Sequence, residues 1–139
     1  MKILLWLVGV IVAVPVLLFG AMYGASELGG EVVTLARADG DGEVSAVRVW
    51  IVDEDGYSWI EHGGPDAYWI TRLADEPEVL LTRDGRPQTY LGVADPQASD
   101  RYRRLRREKY GWADQVVGAL GGGAPEGEPG LPVRLQLVQ

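Results

Sequence analysis

An uninterrupted run of uncharged residues near the N-terminus constrains this chain more than any other feature. Residues 3–26 read ILLWLVGVIVAVPVLLFGAMYGAS, 24 positions without a charge. A helix of that length rises about 36 Å, which exceeds the ~30 Å hydrocarbon core of a bilayer. Signal peptides normally carry a shorter apolar stretch, although Lys2 and the small residues 24–26 are compatible with cleavage. The sequence therefore predicts a transmembrane anchor over residues 1–26, with a cleaved signal peptide as the alternative.

The charges on the two sides of this run predict its orientation. Lys2 and the amino terminus precede it, whereas Arg37 is the first cation after it. Lys and Arg determine topology and acidic residues contribute little, so the balance favours a cytoplasmic N-terminus. We therefore expect a single-pass membrane protein that contacts lipid through residues 3–26. Residues 27–139 would lie on the non-cytoplasmic side.

Composition excludes several chemistries. The chain has no Cys and one His, which excludes disulfides, thiolate zinc sites and multi-histidine centres, so no metal site is predicted. Its formal net charge of -7 argues against nucleic-acid binding, which depends on cations that neutralise phosphates. Residues 27–139 are enough for one hydrophobic core. The chemistry of this domain must therefore come from individual side chains or from a bound cofactor.

The pattern of residues 27–139 predicts short strands with interposed helices. Strands are predicted over 31–39, 43–52, 57–61, 78–83, 86–94 and 131–138, and Asp-Gly pairs mark several turns between them. Helices are predicted over 67–74, 97–110 and 112–120. Free sheet edges are costly, so we expect a mainly β fold with short helices, organised as a closed or partly open antiparallel barrel.

Six cations crowd into the predicted helix 97–110, namely Arg101, Arg103, Arg104, Arg106, Arg107 and Lys109. One interpretation is contact with anionic lipid headgroups or with a phosphate-bearing ligand. The other is a solvated helix whose Tyr102 and Leu105 pack inward while its arginines pair with nearby acids. The sequence favours the second interpretation.

The order of these elements resembles the split β-barrel flavin-binding proteins, a superfamily that includes pyridoxamine-phosphate-oxidase-like proteins. The similar stretch runs from Val33 to Ala94 and is centred on AVRVWIVDEDGYSWIEHGGPDAYWITRLADEPEVLLTRDGR, with Lys109-Tyr110-Gly111 as a further match. The nearest branch is the deazaflavin-dependent nitroreductase/quinone reductase family. The resemblance implies a split antiparallel β-barrel and an oxidoreductase that uses flavin or deazaflavin and acts on a quinone-like or nitro-type acceptor.

The resemblance also implies a binding site for deazaflavin or FMN and assigns no catalytic residue. The phosphate side would be held by Arg48, His62, Gly63, Gly64 and Arg72, and Trp50 and Trp69 would flank the ring. Acidic residues occupy the matching hairpin and loop, namely Asp39, Asp41, Glu43 and Glu61. They leave open an alternative without a cofactor, a non-catalytic membrane-tethered module that binds a protein partner or lipid. A homodimer is compatible with both interpretations.

Overall fold

The computed structural model describes Met1 and residues 9–21, 30–119 and 130–139. Six strands are present in these ranges: β1 (Val32–Ala38), β2 (Val44–Glu54), β3 (Tyr57–Glu61), β4 (Glu78–Arg83), β5 (Arg86–Ala94) and β6 (Pro132–Leu137). The helices are α1 (described over residues 9–21), α2 (Tyr68–Thr71), α3 (Ser99–Tyr110) and α4 (Trp112–Ala119). Two 3-10 turns cover Arg72–Ala74 and Pro96–Ala98. The predicted helix 67–74 is thus a single α-helical turn followed by a 3-10 turn.

The strands form one closed antiparallel barrel in the order β1-β2-β3-β6-β5-β4. Pairing of Leu35 with Leu81 joins β1 to β4 and closes it. Two of the hairpins turn on Asp-Gly pairs whose residues have positive φ, 53° and 82° at Asp55-Gly56 and 50° and 72° at Asp84-Gly85. Such pairs favour two-residue turns whose twist matches that of the flanking strands. The predicted mainly β fold with an antiparallel barrel and short helices is confirmed.

Two separate hydrophobic clusters stabilise the barrel. The interior cluster fills the barrel and includes Val33, Leu35, Ile51, Ile60, Leu81 and Leu135. The outer cluster lies where α3 covers the outer face of β2 and β3, and it contains Val52, Trp59, Ala98, Tyr102, Leu105, Tyr110 and Ala113. Because side chains alternate along a strand, β2 contributes Ile51 to the interior and Val52 to the outer cluster.

The predicted membrane anchor extends at both ends beyond the described residues 9–21. Those residues are helical and their side chains are exposed. Within the part of the chain that the structure describes, no helix has the length and apolar character that crossing a membrane requires. The anchor over residues 1–26 therefore stays a prediction.

Candidate functional site

A polar cluster closes the end of the barrel at which β1 turns into β2. Val33 and Leu35 of β1 point into the barrel, and strand alternation directs Arg37 to the same side. Ile60 of β3 is likewise interior, and His62 follows it by two residues. The Arg37 Nη1 atom lies 3.0 Å from Nε2 of His62. We call Arg37, Asp39, Ser45 and His62 the barrel-end cluster.

Arg37 is the centre of the barrel-end cluster. Its Nη2 atom lies 2.8 Å from Oδ1 of Asp39, and Oδ2 of the same carboxylate accepts a hydrogen bond of 2.9 Å from the Ser45 hydroxyl. The Nε–H of Arg37 is buried and has no acceptor among the described residues. The Arg37 side chain as a whole is 31% exposed, but its Nε–H is a buried donor without an acceptor in the described ranges, and such a donor is costly.

The contact with Arg37 determines the tautomer of His62, and burial together with Arg37 keeps its ring neutral. Arginine only donates hydrogen bonds, so Nε2 of His62 must accept, and the ring proton of the neutral imidazole is then on Nδ1. Burial lowers the pKa of His62 below its usual 6.5, and the positive charge of Arg37 lowers it further. At neutral pH the cluster thus presents an uncharged imidazole donor beside a guanidinium.

The Gly-Gly loop holds His62 in this position. The indole Nε1–H of Trp69 donates to the carbonyl of His62 at 3.0 Å, and the Leu131 N–H donates to the carbonyl of Gly63, also at 3.0 Å. Gly63 has φ of +86°, and a Cβ there would lie 2.9 Å from that of Ala67. Glycine is therefore required at this turn. His62, Gly63 and Trp69, which the sequence placed in one site, do lie together.

Trp50 and Arg48 lie on the outer face of the barrel instead. The Trp50 ring stacks on Tyr110 of α3, with centroids 4.4 Å apart and planes 10° apart. Trp69 packs into the interior cluster and is 6% exposed. The two tryptophans are thus on opposite sides of the barrel wall. The expected arrangement, in which they flank one ring, is not formed.

Arg72 is occupied by a neighbouring acid. Its guanidinium forms an ion pair with Glu76 one turn later and lies 5.7 Å from the centroid of the Tyr68 ring. Tyr68 itself is 42% exposed, and its ring approaches Gly40 of the β1–β2 hairpin. Among the predicted phosphate ligands, the structure groups His62 with Gly63 and Gly64, and it supplies Arg37 as their cation.

Most of the basic run on α3 is neutralised within the domain. Tyr102 and Leu105 are buried, as the solvated-helix interpretation requires. Five of its six cations pair with acids: Arg101 and Arg104 with Glu54, Arg103 with Asp100, Arg106 with Asp114, and Lys109 with Glu31. Arg107 is exposed and forms no ion pair within the described ranges. Contact of this run with anionic lipid or phosphate stays a prediction.

A second charge network joins α3 to the start of β1. Arg83 binds Glu31 and Asp53, with Nη2–Oε2 and Nη2–Oδ2 distances of 2.9 and 2.8 Å. Lys109 Nζ lies 2.8 Å from Glu31 Oε2, and Tyr110 contacts the backbone of Ile51. Burial opposes ionisation of Glu31 and Asp53, but the contacts with Arg83 and Lys109 outweigh it, so both pKa values fall below their usual range. This network fixes the helix to the barrel.

No group of three or more His, Cys, Asp or Glu in the described ranges is placed to bind a metal ion. The polar chemistry that the structure offers is therefore that of hydrogen-bond donors and carboxylates. The barrel-end cluster is the place where an unused buried donor, a neutral histidine and a glycine turn coincide.

Comparisons with known proteins identify the fold. No protein-family model matches the sequence, and a search of curated proteins finds no similar sequence. Solved structures do match. The heme storage protein HutZ from Vibrio cholerae is 12% identical over 78% of this chain and 82% of its own, with a TM-score of 0.52. A conserved hypothetical protein from Mycobacterium tuberculosis is 16% identical over 83% of this chain and 78% of its own, with a TM-score of 0.50.

A FAD-binding protein from Mesorhizobium loti is 17% identical over 87% of this chain and 89% of its own, with a TM-score of 0.48. The fold is a split β-barrel. The closed barrel, together with the matches to HutZ and to the Mycobacterium tuberculosis protein, confirms the split-barrel architecture predicted from the sequence. At these identities the likeness concerns the split barrel alone, and the ligand of this chain has to be argued from its own residues.

The residues of this split barrel fit the phosphate group of a flavin-type nucleotide better than its ring. The barrel-end cluster offers the phosphate the Nε–H of Arg37, which has no acceptor in the described part of the chain, the Nδ1–H of His62, and the Ser45 hydroxyl, which now donates to Asp39. The predicted ring site does not fit, because Trp50 is already stacked on Tyr110. Sequence reasoning missed Arg37, although its position in the alternating run Val33, Leu35, Arg37 was a signal for an inward-facing cation.

Proposed function

We propose that this chain is a membrane-anchored split-barrel oxidoreductase that binds a flavin- or deazaflavin-type cofactor and acts on a quinone-like or nitro-type acceptor. The observation that carries the proposal is the barrel-end cluster, where the Arg37 guanidinium faces a neutral His62 beside a glycine turn. Arginine, a hydroxyl and a histidine donor together are typical ligands of a phosphate group. When bound, such a cofactor supplies hydride transfer, while the protein supplies position and electrostatics.

The chain's own residues divide this work among them. Arg37 and His62 would hold the phosphate, and the hydrogen bond from Trp69 to the His62 carbonyl would keep the loop in place. Tyr68 is the exposed aromatic side chain beside the β1–β2 hairpin, and we assign it the position next to the ring. Trp50 would act at a distance, by stabilising α3 through its stack on Tyr110.

The predicted anchor over residues 1–26 supports a lipid-dissolved acceptor. A domain that begins at residue 27, directly after this anchor, would remain close to the bilayer surface, where quinone-like molecules are concentrated. A reporter enzyme fused after Gln139 tests the predicted topology. Activity of a reporter that functions only outside the cytoplasm supports a non-cytoplasmic domain, and activity of a cytoplasmic reporter contradicts it.

The second candidate is a non-catalytic tethered module that contacts a protein partner, lipid or a second copy of itself. Two observations favour it. The tryptophans expected to flank a ring lie on opposite sides of the barrel wall, and five of the six cations of α3 are paired with acids of the same domain. In this function the split barrel would serve as a stable scaffold without redox chemistry.

Cofactor binding distinguishes the two candidates. The purified full-length chain is mixed with FMN, FAD, a deazaflavin cofactor and haem, and binding is followed by absorbance and by the unfolding temperature. Haem is included because HutZ, which shares the split barrel, is described as a heme storage protein. We expect saturable binding of a flavin or deazaflavin and a raised unfolding temperature, since a ligand that binds only the folded state stabilises it.

Matched variants locate the bound cofactor. Arg37→Gln is expected to weaken binding at least tenfold, because a charge-assisted contact to phosphate is lost. Arg86→Gln removes the same charge from an exposed position at the opposite end of the barrel and is expected to leave affinity unchanged. Binding of haem alone, or no binding at all, would contradict the proposed cofactor class. Equal losses in both variants would contradict the proposed location.

A further inference from the structure

The carboxylate of Asp39 occupies the position in which a ligand anion would be expected. One of its oxygens lies 2.8 Å from Nη2 of Arg37, and the other accepts the Ser45 hydroxyl at 2.9 Å. A guanidinium and a hydroxyl that converge on one anionic group form the type of donor set that binds a phosphate oxygen. Asp39 therefore accepts hydrogen bonds from two donors, Arg37 and the Ser45 hydroxyl, that would otherwise be available to an external anion.

The donor set around Asp39 is larger than one carboxylate can use. The Nε–H of Arg37 is buried without an acceptor in the described part of the chain. Because His62 accepts from Arg37 through Nε2, its Nδ1–H is a further donor at this end of the barrel. A phosphate monoester has three terminal oxygens and two negative charges, so it can use more of these donors than Asp39 does.

The side chain of Asp39 can leave without unfolding the hairpin. Its backbone is held independently, since its N–H donates to the Glu43 carbonyl at 2.8 Å and its carbonyl accepts the Gly42 N–H at 3.0 Å. The side chains of Arg37 and Asp39 are 31% and 35% exposed, so solvent and solutes reach the ion pair. Rotation of one side chain would open the guanidinium to an anion.

We propose that Arg37 binds the phosphate group of this protein's ligand and that Asp39 is a built-in competitor which the phosphate must displace. The proposal rests on the function proposed above and specifies the contact that its cofactor makes. The competition between Asp39 and the phosphate for Arg37 sets the affinity of the protein for this ligand. A weak anion does not displace a carboxylate that is already in contact, whereas a dianionic phosphate monoester does.

The single histidine makes this competition directly observable. In the full-length chain labelled with ¹⁵N and ¹³C at histidine, His62 gives the only imidazole signals, and they report on Arg37 through the 3.0 Å contact. Inorganic phosphate and FMN are titrated separately at pH 7.5 and constant ionic strength, conditions in which the imidazole is neutral. We expect saturable shifts of the His62 signals with FMN in the wild-type chain.

Asp39→Asn is the decisive variant. It removes the competing charge while the amide can still accept from Ser45, and we expect about tenfold tighter binding of FMN and of inorganic phosphate. Asp41→Asn is its matched control, because Asp41 lies in the same hairpin, is exposed and bonds only the Glu43 N–H among the described residues. It removes the same charge and is expected to change affinity by less than about twofold.

Two further variants protect the test against unfolding. Arg37→Gln is expected to abolish the shifts. A second sample labelled with ¹⁵N at tryptophan gives the indole N–H signal of Trp69, which shows whether the His62 loop is still folded. Arg37→Lys keeps the charge, but it offers one ammonium in place of the planar fork, and we expect partial binding.

The outcomes separate this proposal from the proposed function. Tighter binding of inorganic phosphate in Asp39→Asn, with FMN no tighter than phosphate, supports the competition but contradicts a nucleotide cofactor. Equal gains in Asp39→Asn and Asp41→Asn would show a general charge effect and would overturn the proposal. The absence of any His62 shift in the wild type and in Asp39→Asn would overturn it as well.

Discussion

The hydroxyl of Tyr110 is expected to contribute about 2 kcal/mol to the stability of the domain. It accepts the buried Ile51 N–H at 3.0 Å and lies 2.7 Å from the Ile51 carbonyl and 2.6 Å from the Glu31 carbonyl. The Tyr110→Phe variant keeps the ring, which stacks on Trp50 on one side and meets Gly30. Only the contacts of the hydroxyl are lost, so any decrease in the free energy of unfolding can be assigned to them.

The magnitude follows from the groups left without partners. A buried N–H that loses its acceptor costs about 1–3 kcal/mol. The Ile51 carbonyl retains Lys109 Nζ at 2.7 Å, and the Glu31 carbonyl lies at a less buried position, so neither adds much. We therefore expect a loss of about 2 kcal/mol, equivalent to a fall of about 8 °C in the unfolding temperature for a domain of this size.

The assay is denaturant and thermal unfolding of the full-length chain, followed by far-ultraviolet circular dichroism. Tyr57→Phe is the matched control, since its ring is 36% exposed and its hydroxyl makes no hydrogen bond in the described ranges. We expect that variant to remain within about 0.5 kcal/mol of the wild type. If Tyr110→Phe is equally neutral, the hydroxyl does not fasten α3 to β2 and the reasoning is wrong.

Three further expectations concern titration and packing. The NMR titration of His62 is expected to show a pKa below 6.5 that rises in Arg37→Gln, and a pKa unchanged by the substitution would refute the contact. Because the folded state holds the imidazole neutral, the stability that depends on the neutral form is lost as the pH falls from 6.5 through the lower pKa of the folded state. Burial raises the pKa of Glu61, so its charge costs folding free energy at pH 7. Glu61→Gln is expected to stabilise the fold by up to about 1 kcal/mol in thermal unfolding at pH 7, and not at pH 4, where the carboxyl is protonated. A gain that persists at pH 4 would point to another cause. A Cβ on Gly92 would lie 2.8 Å from Val79 Cγ2 and would overpack the barrel interior. Gly92→Ala is therefore expected to lower the free energy of unfolding in denaturant by about 1–3 kcal/mol, and an unchanged midpoint would contradict this expectation.

Local signals in the sequence were sufficient for most of the fold. The strands 57–61, 78–83 and 86–94 were predicted with the bounds that the structure shows, because Asp-Gly turns delimit them on one side. Alternation in β2 places Ile51 and Trp50 on opposite faces, and the structure shows that Ile51 is interior while Trp50 packs against the outer cluster. The helix predicted at 97–110 begins at Ser99, because residues 96–98 form a 3-10 turn.

The site could be predicted only in part, because its decisive contacts join distant parts of the chain. Arg37 and His62 are 25 residues apart, and Lys109 and Glu31 are 78 apart. Arg72 was selected for its place in a motif, yet its pairing with Glu76 depends on a local helical turn that the motif does not specify. The local sequence is enough to identify the Gly-Gly loop. The cation that faces this loop, Arg37, is brought to it only when the barrel closes.

Only part of the acidic balance of the chain lies at the barrel end, where Asp41 and Glu43 are exposed in the hairpin that carries Asp39. A net charge of -7 would disfavour an anionic ligand if the carboxylates surrounded its site. In the described ranges, however, Glu31, Glu54 and Asp114 are engaged with cations of α3. Asp39 is the carboxylate in contact with Arg37. We therefore expect Asp39 to be the main competitor of a phosphate for the Arg37 guanidinium. Removal of its charge in Asp39→Asn, compared with Asp41→Asn, measures that competition.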